Sequence, residues 1–523
     1  MTSGKPASKA HVVADQSEVL AFLADPKTHA LRSSPFRIDT HGAVVFLAGE
    51  NAYKVKRAVK FPFMDLSTIG KRKAACEAEI AVNAPDAPSI YLGVVPITRG
   101  KHGLELAGTG EAVEWSVHMR RFDERQTLDL VADRGGLSSA LLAKLVRAIL
   151  ASHARAPRCE ATPATESLRS YLRQNQEAFS ESPELFPKQR VDALTAHSQD
   201  MLQRQWELLI ERGGAGFVRR CHGDLHLRNI VLLDGEPTLF DAVEFDEAIA
   251  TGDVFYDLAF LLMDLWERGL KHEANLVLNR YLWGCGEAQI RGLAALPLFL
   301  SIRAAIRAKV VVASLPHLSG QERENQAEEA RGYFAAAERF VEPHTARLAA
   351  IGGLSGSGKT TLAGGIAPFV GRPPGAIHLR SDIERKVLAG VDETQRLPLE
   401  SYTQAASDAV YDSLRGKARL VLEAGQSVVV DAVHATPAER EAIEATAAAT
   451  GAPFSGLWLE APVEVLVDRV RTRSDDASDA TEEVVRRQIR YDVGAIPWVR
   501  LNASGDATGR TSAALRILGV AED

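Results

Sequence analysis

The run Gly353-Leu354-Ser355-Gly356-Ser357-Gly358-Lys359-Thr360 constrains this chain more than any other segment. It fits G-x-x-x-x-G-K-[ST] at every fixed position, follows the apolar stretch "RLAAIGG", and opens a helical pattern at Lys359-Thr360-Thr361. Glycines in such a loop let backbone N–H groups turn inward around an anion, and the helix behind it points its positive end at the same place. The expected ligand is therefore the phosphate chain of ATP. Gly353, Ser355, Gly356, Ser357, Gly358 and Thr361 would surround it, Lys359 would reach its β and γ phosphates, and the Thr360 hydroxyl would ligate Mg²⁺. Further buried-strand patterns, "SVVVDAV" and "FSGLWLEAP", alternate with helices, so the expected C-terminal fold is an α/β P-loop NTPase with a parallel sheet flanked by helices.

Within that half, Asp431 ends an apolar strand, where an acid that supports the metal is expected. Asp382 and Arg385 open a helix after another strand, in "HLRSDIERKVLAG". Arg469, Arg471 and Arg473 precede a polar stretch and are candidates to close over a transferring phosphoryl group, with Arg473 the catalytic choice. From about residue 347 to 523 the pattern resembles small P-loop kinases: gluconate and shikimate kinases, the kinase domain of phage polynucleotide kinase, and zeta-toxin-like kinases. The resemblance implies that Asp382 takes the proton from the acceptor hydroxyl and that Arg385 binds the acceptor.

A second constellation lies upstream, in His222-Gly223-Asp224-Leu225-His226-Leu227-Arg228-Asn229. Asp224 and Asn229 are five apart, the spacing of the kinase loop H-R-D-x-x-x-x-N, in which a carboxylate meets the attacking hydroxyl and an amide oxygen holds a metal. Asp241 follows after a strand, a turn at Asp234-Gly235 and a second strand, at the position of a second metal-binding acid. "HGDLHLRNIVL…LFDAVEFD…GDVFYDLAFL" resembles the aminoglycoside phosphotransferase family, over about residues 44 to 341. That resemblance implies a bilobal protein-kinase-like fold, with Asp224 as catalytic base and Asn229 and Asp241 as Mg²⁺ ligands. It also implies that His222 braces the loop and that Asp253 and Asp257 support it by hydrogen bonds. An ATP lysine should come from "NAYKVKR" and its acidic partner from "ACEAEI". Lys54, nearer the turn, is the choice over Lys56, and Glu79 over Glu77. The segment that reads adenine falls around residues 119 to 122.

The expected organisation is an extension over 1–35, a kinase-like domain over 36–342 with a small lobe to about 122 and a large lobe from 123, and a P-loop domain over 343–523. The chain is thus read as α/β and α+β multidomain, as its 523 residues allow. Hydrophobic residues at 46% and charged residues at 25% describe a globular protein and exclude collagen-like, coiled-coil or largely disordered classes. A net charge of −7 argues against a dedicated nucleic-acid binder, which needs a basic face. Asp257 and Asp264 break the most apolar run, so no membrane partner is expected. Four scattered cysteines without C-x-x-C spacing point to reduced thiols in a cytoplasm.

Together these readings predict an enzyme with two ATP-dependent, Mg²⁺-dependent phosphotransferase modules. Each passes a phosphoryl group to a hydroxyl of a small molecule such as a sugar, polyol or hydroxy acid. The alternatives are aminoglycoside inactivation, polynucleotide 5′-hydroxyl phosphorylation, and non-catalytic binding gated by nucleotide. Oligomeric state is left open.

Overall fold

The computed structural model describes residues 11–40, 42–61, 64–472 and 477–520. The chain divides into two compact units, 1–167 with 216–258, and 168–215 with 259–523.

In the first unit a six-stranded antiparallel sheet runs in the order Phe36–Asp39, Ala43–Ala48, Asn51–Lys56, Glu111–Arg120, Tyr91–Gly100, Gly103–Leu106. The expected hairpin is present: Ala43 to Ala48 pairs with Lys56 to Asn51 across a turn in which Gly49 has φ +60°. Alternation on the two strands buries Val44, Phe46 and Val55 against Val19 and Leu23 of the helix Ser17–Ala24. The helix Ile69–Asn83, started by the Thr68 side chain accepting from Lys71 N, packs on the strands Glu111–Arg120 and Tyr91–Gly100. The same unit holds the hairpin Ile230–Leu233 and Glu236–Leu239, whose two-residue turn puts Asp234 and Gly235 at φ +52° and +79°. It also holds the short pair Val218–Arg220 and Thr251–Asp253.

In the second unit the long helices Leu296–Ser314 and Gly320–Val341 lie together, tied by Ser301 Oγ donating to Ala337 O at 2.7 Å. A five-stranded, fully parallel sheet follows, in the order Ile377–Arg380, Val428–Asp431, Leu348–Gly353, Phe454–Glu460, Val499–Asn502. Its central strands read as unbroken apolar runs because both faces are covered: Leu348 to Ile351 and Val428 to Val430 are fully buried. Ile377–Arg380 is an edge strand, and the helix Lys271–Leu282 covers its start. Buried Asn275 donates to Pro374 O and Ala376 O, both at 3.0 Å, and Asn279 accepts from His378 N at 2.6 Å. Two amides thus satisfy polar groups that an uncovered edge would leave bare. No helix among the described residues is long and apolar enough to cross a membrane.

Candidate active sites

The first site is assembled from the small-lobe sheet and the loops between residues 222 and 244. Lys54 and Lys56 alternate onto one side of their strand. Lys54 Nζ lies 2.8 Å from Glu79 Oε1 and 2.9 Å from Asp241 Oδ1. Lys56 Nζ lies 2.5 Å from the other oxygen, Glu79 Oε2. Glu79 is fully buried. Burial pushes its carboxyl up, but Lys54 and Lys56 outweigh that and hold it below the usual range. Burial lowers Lys54, while Asp241 and Glu79 raise it further and keep it charged. Glu77, the alternative partner, faces outward and pairs with Lys73 at 3.4 Å.

In the loop over residues 222–229, Asn229 Nδ2 donates to Asp224 Oδ2 at 2.9 Å and to Asp224 O at 3.0 Å. The five-residue spacing therefore brings carboxylate and amide together, and with the amide nitrogen engaged its oxygen is the atom that could hold a metal. His222 Nε2 bonds Phe240 O at 2.9 Å, and Asp257 Oδ1 accepts from Gly223 N at 2.8 Å, so both act as the braces the resemblance implied. Asp253 accepts from Phe255 N, two residues on, at the start of the following helix. Asp241 itself sits at φ +60°, a conformation unusual for a residue with a Cβ, and its carboxylate is about half exposed beside Lys54. The Asp241 carboxylate at the Lys54 ammonium, and the Asn229 amide on the segment that bonds Phe240 N, offer the oxygen ligands that suit a hard divalent cation with attached phosphates.

The second site forms at the carboxyl ends of the parallel strands. The left-handed turns fall on glycines: at Gly356, φ +82°, a Cβ would meet Leu466 O at 2.4 Å, so no other residue fits. Thr360 Oγ1 donates to Asp431 Oδ2 at 2.6 Å, which joins the two predicted metal-supporting groups directly. Lys359 Nζ reaches back to Leu354 O at 3.1 Å, across the mouth of the loop. Burial raises the Asp431 carboxyl, but His378, Lys359 and Arg380 outweigh it and bring it to about 2. A hydroxyl at the head of a helix beside an ionised acid at a strand end, behind a glycine loop, fits Mg²⁺ with a phosphate chain. Asp382 and Arg385 lie together on the helix Ser381–Leu388. Arg385 is held over the Tyr402 ring at 4.9 Å and donates to Ser401 O at 2.7 Å.

Of the three candidate arginines, the structure sets Arg469 against the loop: it donates to Ala503 O at 2.7 Å and lies 3.5 Å from Gly356 O. Exposed Arg471 turns away to pair with half-buried Glu482. Arg473 lies outside the described residues. Three neighbours carried no usable signal in the sequence. Gln488 accepts from Ser355 N at 2.8 Å. His378 Nε2 lies 3.5 Å from Asp431 Oδ2. His434, three residues after Asp431, is buried between the rings of Tyr411 and Trp498. Helical spacing on Val463–Thr472 could have singled out Arg469, one turn from the Leu466 carbonyl that crowds Gly356.

Two family patterns match the chain: the Phosphotransferase enzyme family over residues 96–293, and the AAA domain over residues 348–492. An uncharacterized protein of Mycobacterium tuberculosis is 30% identical over 487 residues, covering 89% of this chain and 93% of the relative. A protein of Mycobacterium bovis matches to the same extent. Among solved structures, a choline/ethanolamine kinase family protein from Mesorhizobium loti covers 62% of this chain and 94% of its own, at 15% identity and a TM-score of 0.37. A sugar kinase from Janibacter covers 34% and 96%, at 22% identity and a TM-score of 0.27.

Proposed function

Because the chain belongs to one family with these mycobacterial proteins, and is a phosphotransferase-family domain joined to an AAA-type P-loop domain, we propose that it is an ATP-dependent phosphotransferase with two working kinase modules. Each moves the γ-phosphoryl group of ATP onto a hydroxyl of a small metabolite, of the sugar, polyol or hydroxy-acid class. The observation that supports this reading is that each module carries its own set of groups suited to phosphates and a metal. In one, Lys54 pairs with Glu79 and Asp241, and Asn229 bonds Asp224 while its carbonyl accepts from Phe240 N, next to Asp241; in the other, Thr360 bonds Asp431 and Lys359 lowers the Asp431 carboxyl.

In the first module Asp224 takes the proton of the acceptor hydroxyl as its oxygen bonds to the γ-phosphorus and the bond to ADP breaks. Lys54 holds the phosphates in line. In the second, Asp382 takes the proton, Lys359 and Arg469 meet the charge that develops on the phosphoryl oxygens, and Arg385 with Tyr402 walls the acceptor. Mg²⁺, held by Asn229 and Asp241 in one module and by Thr360 backed by Asp431 in the other, would supply charge neutralisation across the phosphates. What the protein contributes is position and fixed charge, since phosphoryl transfer asks for little else.

The test is an ATP-consumption screen over sugars, polyols, hydroxy acids, aminoglycosides and 5′-hydroxyl oligonucleotides. It uses the intact chain, Asp224→Asn and Asp382→Asn. A small hydroxyl acceptor whose turnover is lost in one variant and kept in the other supports the reading. Turnover only with an aminoglycoside or an oligonucleotide refutes the acceptor class, and none with any acceptor refutes the enzyme.

A further inference from the structure

We propose that Lys56 is a positioning residue for the metal-binding acid of the first module: it bridges Glu79 to Glu244 and so holds the Asp241 segment in register, which frees Lys54 for the phosphates. This rests on the nucleotide reading of that site.

One lysine is enough to neutralise one buried glutamate, yet here two lysines divide the Glu79 carboxylate, one on each oxygen. They are not equivalent. Lys54 turns toward Asp241, which is half exposed, whereas Lys56 is buried and pairs with Glu244, itself nearly buried. Glu244 lies three residues after Asp241, and the segment between them is pinned at every residue. Asp241 N donates to the Tyr91 hydroxyl at 3.0 Å, Ala242 N to Asn83 Oδ1 at 2.7 Å, and Val243 N to His222 O at 3.0 Å. The Lys56–Glu244 pair is the fourth pin. Asn83 is one turn beyond Glu79 on the same helix and donates to Glu79 O at 3.0 Å. Helix, strand and segment are thus cross-linked around Lys56.

The arrangement has a charge consequence. Lys54 carries two carboxylates that part company once it serves a phosphate and Asp241 serves a metal. Glu79 would then be left buried with a shared partner, a costly state for a carboxylate. Lys56, buried and paired with Glu244, keeps Glu79 compensated throughout. It also opposes relaxation of Asp241 from its left-handed backbone, since the next three residues cannot shift.

The test is binding of a fluorescent ADP analogue to the full chain carrying Lys359→Ala, which silences the P-loop, with excess Mg²⁺ and with EDTA. Lys56→Met should weaken Mg²⁺-dependent binding by about tenfold or more, the scale seen when a ligand's supporting partner is removed, and leave metal-free binding near the parent value. Glu244→Gln should reproduce that selective loss, and Lys54→Met should weaken both. Parallel losses with and without metal in Lys56→Met would make the residue merely structural and overturn the proposal, as would unchanged affinity in both buffers. A parent that binds no ADP in either buffer would defeat the nucleotide reading itself, and the bridge with it.

Discussion

His434 offers a sharp test of how the second site is built. It follows Asp431 by three residues, is 1% exposed, and is enclosed by Tyr411 and Trp498 with ring centroids at 5.6 and 5.2 Å. Neither ring nitrogen has a hydrogen-bond partner among the described residues. Burial drives its pKa from 6.5 down to about 3; Asp431 pulls it up, and Lys359, Arg440 and Arg415 push it down. The folded protein therefore keeps this imidazole neutral where the unfolded chain protonates it. A depressed histidine contributes stability that is whole above pH 6.5 and is lost as pH falls toward the folded value. Between pH 7 and pH 5 the unfolded chain gains most of a proton that the folded one refuses, which costs about 2 kcal/mol. The figure depends mainly on the unfolded value, because any folded value well below 5 gives the same result. Urea unfolding of wild type and His434→Phe, followed by tryptophan fluorescence at both pH values, isolates the effect. PH-independent costs, such as a larger ring or the left-handed backbone at φ +48°, cancel in the difference. The wild type should lose about 2 kcal/mol more than the variant over that interval. An equal loss in both proteins would mean that the imidazole is protonated in the folded state, and the enclosed neutral site would be wrong.

Lys359→Ala should abolish nucleotide binding at the P-loop with little change in unfolding midpoint, because Lys359 serves the loop mouth; calorimetry and thermal denaturation read both. Asp224→Asn should keep Mg·ATP affinity, since Asn229 and Asp241 remain, yet lower turnover by the first module by at least about 10²-fold. A non-hydrolysable ATP analogue should bind the intact chain at two sites, one removed by Lys359→Ala and the other weakened by Asp241→Ala; a single site abolished by either change would refute two separate modules. Asn279→Ala should cost about 1 to 3 kcal/mol in urea unfolding, the penalty for leaving a buried backbone group unpaired, because His378 N loses its Asn279 acceptor while Ala376 O keeps Asn275.

Much of this architecture was legible because it is periodic or locally spelled. The hairpin at Gly49, the turn at Asp234-Gly235, the helix Gly320–Val341 and the strand before the glycine loop each carry their instructions within a few residues. Some strands carry no such mark. Phe36–Asp39, Gly103–Leu106 and Val499–Asn502 are short and stand at or near sheet edges, mostly exposed or half-buried, so neither alternation nor an apolar run marks them.

The sites divide along the same line. Asp224 with Asn229, and Lys359 with Thr360, sit on single loops, so spacing alone brings them together. Asp431 was marked by its place at the end of a buried strand. What could not be read is whatever depends on distant segments meeting. Lys56 and Glu244 are 188 residues apart, and a second lysine on a strand looks the same whether it points at solvent or at two carboxylates. Lys54 and Lys56 therefore stood as alternatives in the sequence, though the fold uses both. The Glu79 carboxylate has two oxygens, and a buried carboxylate is stable only when its lone pairs are met. The choice between the two lysines was thus a question about the partner's second oxygen, which no pattern along their own strand could answer.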